Sequence, residues 1–178
     1  AILGLSDEDV VAACSQVQSG VVEAVNFNSP GQVVIAGNRL SVEAAMENAK
    51  SLGAKRVLAL PVSVPSHCSL MEGAAQQLFD VLESTPFVMP VIPVIHNQNA
   101  SIARSVDEIK LLLKKQLYQP VKWVDTVLAM HQQGVTSLVE CGPGKVLSGL
   151  AKRIERSLQG QAIFDSASLE KTVQSFSE

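Results

Sequence analysis

His67 stands where an apolar run hands over to a helix-forming segment, in LPVSVPSHCSLM, residues 60–71. Leu60 to Val64 read as the end of a strand, Pro65 stops it, and Ser66 is a good N-cap for a helix. The apolar face of that helix would be Leu70, Met71, Ala74, Ala75, Leu78 and Leu82. His67 would then lie in the first helical turn, where the helix N-terminus favours neutral imidazole, the form a general base must have. A second segment supplies what such a base needs. In KKQLYQP, residues 114–120, a helix over 105–119 would send the Gln116 carbonyl to the amide four residues on, but that residue is Pro120, which has no N–H. The acceptor left free can hold the Nδ1 proton of a histidine and present Nε2 to a nucleophile, in the place of a triad carboxylate. Against this stands the ordinary reading, in which a histidine beside apolar residues is a satisfied structural group.

Other candidates for chemistry are weaker. His67, His96 and His131 lie far apart, with no cysteine or carboxylate at ligand spacing, so local sequence predicts no metal site. CGPGKVLSG, residues 141–149, is a tight turn that opens a helix after a strand. Glycines at a helix start can bind an anion, but this spacing is not that of a phosphate-binding P-loop, and a close strand-to-helix turn is the better reading. Cys141 at a strand end is a possible thiol nucleophile, although a lone cysteine after an apolar run is usually buried filler, and the same holds for Cys68.

The elements that must position these residues follow from periodicity. Over residues 1–62 the pattern predicts a strand at Ala1 to Leu5, a helix capped by Ser6, strands at Val21 to Asn28 and Gln32 to Ala36 joined through SPG, a helix capped by Ser41 and ended by Gly53, and a strand at Val57 to Val62. That order, βαββαβ, is the ferredoxin-like split motif. Residues 63–160 change to longer helices separated by single apolar strands, VIPVI at 91–95 and SLVEC at 137–141, the pattern of an α/β layer with a parallel sheet. The helix from Ser105 carries a capping box with Glu108, and the next runs from about Val121 to Gly134. Two interior strands with about four helices make half a layer structure, which alone would expose a large apolar face, so its other strands are expected in sequence outside these 178 residues. The chain also opens on an apolar segment already under way, AILGLSDEDV, without Met. Residues 161–178 are mostly polar, with a weak helical signal at Leu169 to Phe176, and are expected to be a peripheral tail.

The totals narrow the class. A composition that is 47% hydrophobic supports a real core, while a net charge of −3 with few aromatics argues against nucleic acid as the main partner. No apolar run approaches the roughly 20 residues that span a bilayer, so no membrane role is predicted. Three scattered cysteines, Cys14, Cys68 and Cys141, make no disulfide framework and point to a reducing cytoplasm.

Taken in order, NFNSPGQVVIAG, PVSVPSHCSLM, KKQLYQPVKW and ECGPGKVLSGLAKRI strongly resemble the malonyl-CoA:acyl carrier protein transacylases of bacterial type II fatty acid synthesis, from Ala1 to about Arg156. The resemblance implies a ferredoxin-like subdomain inserted into an α/β-hydrolase-like one, the first whole and the second represented by its carboxyl-terminal part. It places the family's histidine on His67 and its backbone carbonyl partner on Gln116, with Asn26 and Asn28 facing the acyl-CoA cleft. It implies malonyl-CoA and acyl carrier protein as partners, and no metal or redox cofactor. The family's nucleophile is a serine in a GHSxGE elbow, and no G-x-S-x-G occurs in these residues, so the base is expected here without its nucleophile, which would lie in a missing amino-terminal part. Acyl carrier proteins are acidic, and two basic clusters are candidates for docking one, Lys55 with Arg56, and Lys152 and Arg153 with Arg156. Two other readings compete: a thiol hydrolase using Cys141 and His67, and a non-enzymatic small-molecule-binding module on the ferredoxin-like half.

Overall fold

Residues 1–57 run strand, helix, strand, strand, helix, strand: β1 (Ile2–Leu3), α1 (Asp7–Ser15), β2 (Val22–Ser29), β3 (Gln32–Gly37), α2 (Arg39–Ser51) and β4 (Arg56–Val57). The computed structural model describes residues 1–176. The four strands form one antiparallel sheet in the order β2-β3-β1-β4. Its core follows from the two periods. Val33 and Ile35 alternate along β3 with less buried neighbours, and they meet Val10, Ala13 and Cys14 of α1 and Ala45 and Ala49 of α2. Ser6 caps α1, its hydroxyl accepting the Asp9 N–H at 3.1 Å. Ser41 does not cap α2. The N-cap is Asn38, three residues earlier, and Ser41 is buried with its hydroxyl donating to the Ser19 carbonyl at 2.7 Å. Gly53, at φ 94°, ends α2, and its amide bonds the Lys50 carbonyl while the Ala54 amide reaches Ala49.

Two predicted strands are shorter than their apolar runs. The strand predicted over 57–62 pairs only at Arg56–Val57, against Leu3 and Ile2 of β1, and just beyond that ladder the Leu58 N–H donates to the Ala1 carbonyl at 2.9 Å. VIPVI contributes only Ile95–His96 (β5), which pairs with Ser101–Ile102 (β6) in a small hairpin. Pro90 and Pro93 lack ladder donors, and no neighbouring strand covers the run among the described residues. Val62, Val88, Val91 and Ile92 are consequently 68, 85, 100 and 79% exposed.

The segment after β4 continues through a 3-10 turn (Ser69–Met71) into α3 (Glu72–Ser84), and α4 (Val106–Gln116) packs against α3. Lys114 lies 4.7 Å from the Phe79 ring centre and donates to the Gln76 side chain at 2.6 Å. The Ser105 hydroxyl accepts the Glu108 N–H at 3.1 Å, while the Glu108 carboxylate accepts the Arg104 N–H at 2.6 Å. By contacts the chain divides into compact units at Thr126/Val127, so residues 63–126 group with the first sheet. The physical reason is that the outer edge of β2 pairs with Val121: the Phe27 N–H donates to the Val121 carbonyl at 3.0 Å, and the Val121 N–H donates to the Val25 carbonyl at 2.8 Å. These bonds fasten residues 63–126 to the first sheet.

The helix α5 (Trp123–Gln132) runs through that division. The second unit holds β7 (Ser137–Cys141), α6 (Val146–Ile154), β8 (Gln159–Ile163) and α7 (Ser166–Ser175). β7 and β8 are parallel in register Ser137↔Gln159 to Cys141↔Ile163, with α6 as the crossover. Residues 161–176 are therefore not a peripheral tail. They complete a βαβ unit and add a helix whose Asp165 and Ser168 form a capping box. The last two residues of the predicted tail, 177 and 178, lie outside the described residues. Among the described residues no helix is long and apolar enough to cross a membrane.

Candidate active site

Pro120 interrupts the hydrogen-bond ladder at the end of α4. The Gln119 N–H still reaches the Lys115 carbonyl at 2.8 Å, so the next rung would join residue 120 to Gln116. Proline has no N–H, and the Gln116 carbonyl instead faces Nδ1 of His67 at 2.6 Å. The following carbonyl, Leu117, accepts the backbone N–H of His67 at 2.9 Å. Two consecutive carbonyls of one helix end thus hold the backbone and the ring of a single residue. A carbonyl only accepts, so the contact requires the proton on Nδ1 and leaves Nε2 of the neutral ring with a free lone pair.

His67 is not in a helical turn. Its φ is 65°, the left-handed region that costs a residue with a Cβ about 1–2 kcal/mol, and it lies two residues before the 3-10 turn. The predicted cap at Ser66 fails because another group takes that role. Glu23 on β2 accepts the Ser69 N–H at 2.9 Å and the Ser69 hydroxyl at 2.6 Å, one on each carboxylate oxygen. A carboxylate suits a helix start. Sequence reasoning missed Glu23, since a single acid in an alternating strand carries no local signal.

The other candidates are placed as follows. Asn26 and Asn28 are half-buried on β2, beside register shifts at Ala24/Asn26 and Phe27/Ser29, and Asn26 bridges Val121. Lys55 and Arg56 are exposed at the start of β4, and Lys152 and Arg153 are exposed in the last turn of α6. His96 is half-buried in the β5–β6 hairpin, where burial pushes its imidazole down against the pull of Glu108. Cys14 and Cys68 are buried thiols. Burial, with Glu23 adding to it, raises Cys14 to about 11, and burial also pushes Cys68 up. Cys141 is exposed.

The GPG turn is committed to its own helix. Glu140 accepts the amides of Val146 and Ser148 at 3.0 and 2.9 Å and the Ser148 hydroxyl at 3.0 Å. Desolvation raises this carboxyl, but hydrogen bonds from Ser148, Leu147 and Val146 outweigh it and hold the group below its ordinary value. The Val146 and Ser148 amides at the start of α6 are thereby taken by a carboxylate of the chain itself.

An imidazole oriented through Nδ1 and open at Nε2 is the base that an acyl-transfer enzyme needs to activate a nucleophile. Along nearly its whole length the chain is similar in sequence to malonyl CoA-acyl carrier protein transacylases. It is 52% identical to that of Haemophilus influenzae over 169 residues, covering 94% of this chain and 54% of the relative. With that of Bacillus subtilis it shares 39% over 180 residues, covering 57% of the relative. Among solved structures, an acyl carrier protein S-malonyltransferase from Vibrio cholerae superposes with a TM-score of 0.94 at 51% identity, covering 97% of this chain and 56% of that one. A malonyl-transacylase solved in complex with its type II polyketide acyl-carrier protein gives 0.96 at 48%, covering 98% and 57%. The chain spans just over half the length of the relatives it matches. No family model matches it.

Proposed function

We propose that this chain is the base-bearing half of a malonyl-CoA:acyl carrier protein transacylase, which moves a malonyl group from malonyl-CoA to the phosphopantetheine thiol of the carrier in fatty acid synthesis. The observation that carries the reading is the 2.6 Å contact between His67 Nδ1 and the Gln116 carbonyl. In this reading residues 1–62 are the ferredoxin-like subdomain. Residues 63–160, with the strand and helix that follow, belong to an α/β-hydrolase-like one. The nucleophilic serine comes from the part of the relatives that this chain does not span. His67 Nε2 takes the serine proton as the oxygen attacks the thioester carbonyl. The C–S bond breaks, the CoA sulfur takes that proton from His67, and malonyl remains as a serine ester. The carrier thiol then gives its proton to His67, attacks the ester, and serine leaves with the proton. Asn26 and Asn28 would line the acyl-CoA side of the cleft. Three unpaired cysteines fit a cytoplasmic enzyme.

The test is radiolabelled malonyl-CoA on the intact enzyme. Label should remain on the denatured protein as an ester, be chased by carrier protein, and survive pretreatment with iodoacetamide. Loss of both steps on alkylation would favour a Cys141 thiol enzyme, and no covalent label at all would favour a binding module.

The carrier partner gives a second measurable outcome. Acyl carrier proteins are acidic, and an enzyme whose known portion has net charge −3 must concentrate positive charge where one docks. Lys55, Arg56, Lys152 and Arg153 are the residues we assign to this role. Reversing Lys152 and Arg153 to Glu should raise the KM for carrier protein about three- to five-fold and flatten its salt dependence, while the first half-reaction with malonyl-CoA stays nearly unchanged. A common fall in both half-reactions, or no change in either, removes these residues from docking.

A further inference from the structure

We infer that Glu23 is a positioning residue for His67, a role that rests on the transferase reading above. Glu23 is one of two attachments by which strand β2 fixes the His67–Gln116 pair from both sides. Through the Val25 carbonyl and the Phe27 amide, β2 holds Val121, the residue next to Pro120, and so sets the end of α4 that offers the Gln116 carbonyl. Through Glu23 it holds Ser69 by two bonds, at 2.9 and 2.6 Å. Ser69 is two residues from His67, and Cys68 between them is fully buried, so the link is short and has little freedom.

The need for such a fastening is visible in the backbone. His67 sits at φ 65°, a conformation that a residue with a side chain keeps only when its surroundings hold it there. On the amino-terminal side its own N–H is tied to Leu117. On the carboxyl-terminal side the Cys68 carbonyl is held within the turn by the Met71 N–H at 2.9 Å, and the first backbone amide tied to β2 is that of Ser69, bonded to Glu23. Without Glu23 the Ser69 amide and hydroxyl lose their acceptor, the 3-10 turn is free to start elsewhere, and His67 can relax toward negative φ. That movement carries the ring away from Gln116 and frees Nδ1 to lose its proton to the other nitrogen. Small displacements of this kind lower the rate without altering substrate binding.

The experiment uses the intact enzyme labelled with 15N at histidine. Glu23→Ala should lower kcat about five-fold, the loss expected for an oriented base held less firmly, with the KM for malonyl-CoA changed less than two-fold. The imidazole 15N shifts of His67 should move from the Nδ1–H toward the Nε2–H tautomer. Glu23→Gln should restore both readouts, because its amide oxygen accepts the Ser69 N–H and its nitrogen donates to the Ser69 oxygen. A wild-type tautomer ratio in Glu23→Ala overturns the inference whatever the rate, and so does a failure of Glu23→Gln to restore it. Should Glu23→Ala not fold, Ser69→Ala, which keeps one of the two bonds, decides the matter: a partial tautomer shift supports the role and an unchanged spectrum overturns it. The tautomer measurement does not depend on malonyl transfer, so a wrong transferase reading, revealed by an active His67→Ala enzyme, is distinguishable from a wrong assignment of Glu23.

Discussion

His67→Ala in the intact enzyme is expected to lower malonyl transfer by roughly 10² to 10⁴, the range for removal of a positioned general base. The expectation follows from the ring's two ends. Nδ1 is engaged at 2.6 Å by a group that can only accept, so the ring's remaining nitrogen is the proton acceptor. In the proposed mechanism both half-reactions move a proton to and from that nitrogen, so formation of the malonyl ester and its transfer to the carrier should slow together. The backbone must be controlled for, since φ 65° suits Ala no better than His. Asn tolerates the left-handed region and has no basic nitrogen, so His67→Asn should keep the native circular dichroism spectrum and lose the same activity. Near-normal turnover in both variants would remove His67 from the mechanism.

What made this site legible was a covalent property. Pro120 lacks an N–H in any fold, so the free Gln116 carbonyl could be read from KKQLYQP once a helix was assigned there. The SPG hairpin and the Gly53 helix end were legible for a similar reason, because turn chemistry is local. The backbone at His67 was not. Its conformation depends on Glu23, 46 residues before Ser69, and no short-range pattern announces that bond. The apolar runs at 57–62 and 91–95 look like strands because composition reports burial, whereas a strand also needs a neighbour to pair with. Gln159–Ile163 errs the other way. QGQAI is too polar to read as a strand, yet its backbone pairs with β7 along five residues.

Pro120→Ala is expected to lower kcat about ten-fold with little change in the KM for malonyl-CoA, since one competing hydrogen bond of ordinary strength is worth about that factor. The ladder of α4 persists to the Gln119–Lys115 bond at 2.8 Å, so an N–H at position 120 is presented with the Gln116 carbonyl as its next acceptor. That carbonyl now serves Nδ1 of His67, and the new amide would compete for it. The segment itself should stay in place, because Val121 remains paired with Val25 and Phe27 on β2. Gln116→Ala, by contrast, should be mild, because the backbone oxygen and not the side chain makes the contact. A double variant separates this account from general damage: in a His67→Ala background, Pro120→Ala has no ring left to disturb and should cost nothing further. Equal rates for wild type and Pro120→Ala would sink the role assigned to the Gln116 carbonyl. An additional loss in the double variant would show that proline acts on something other than His67.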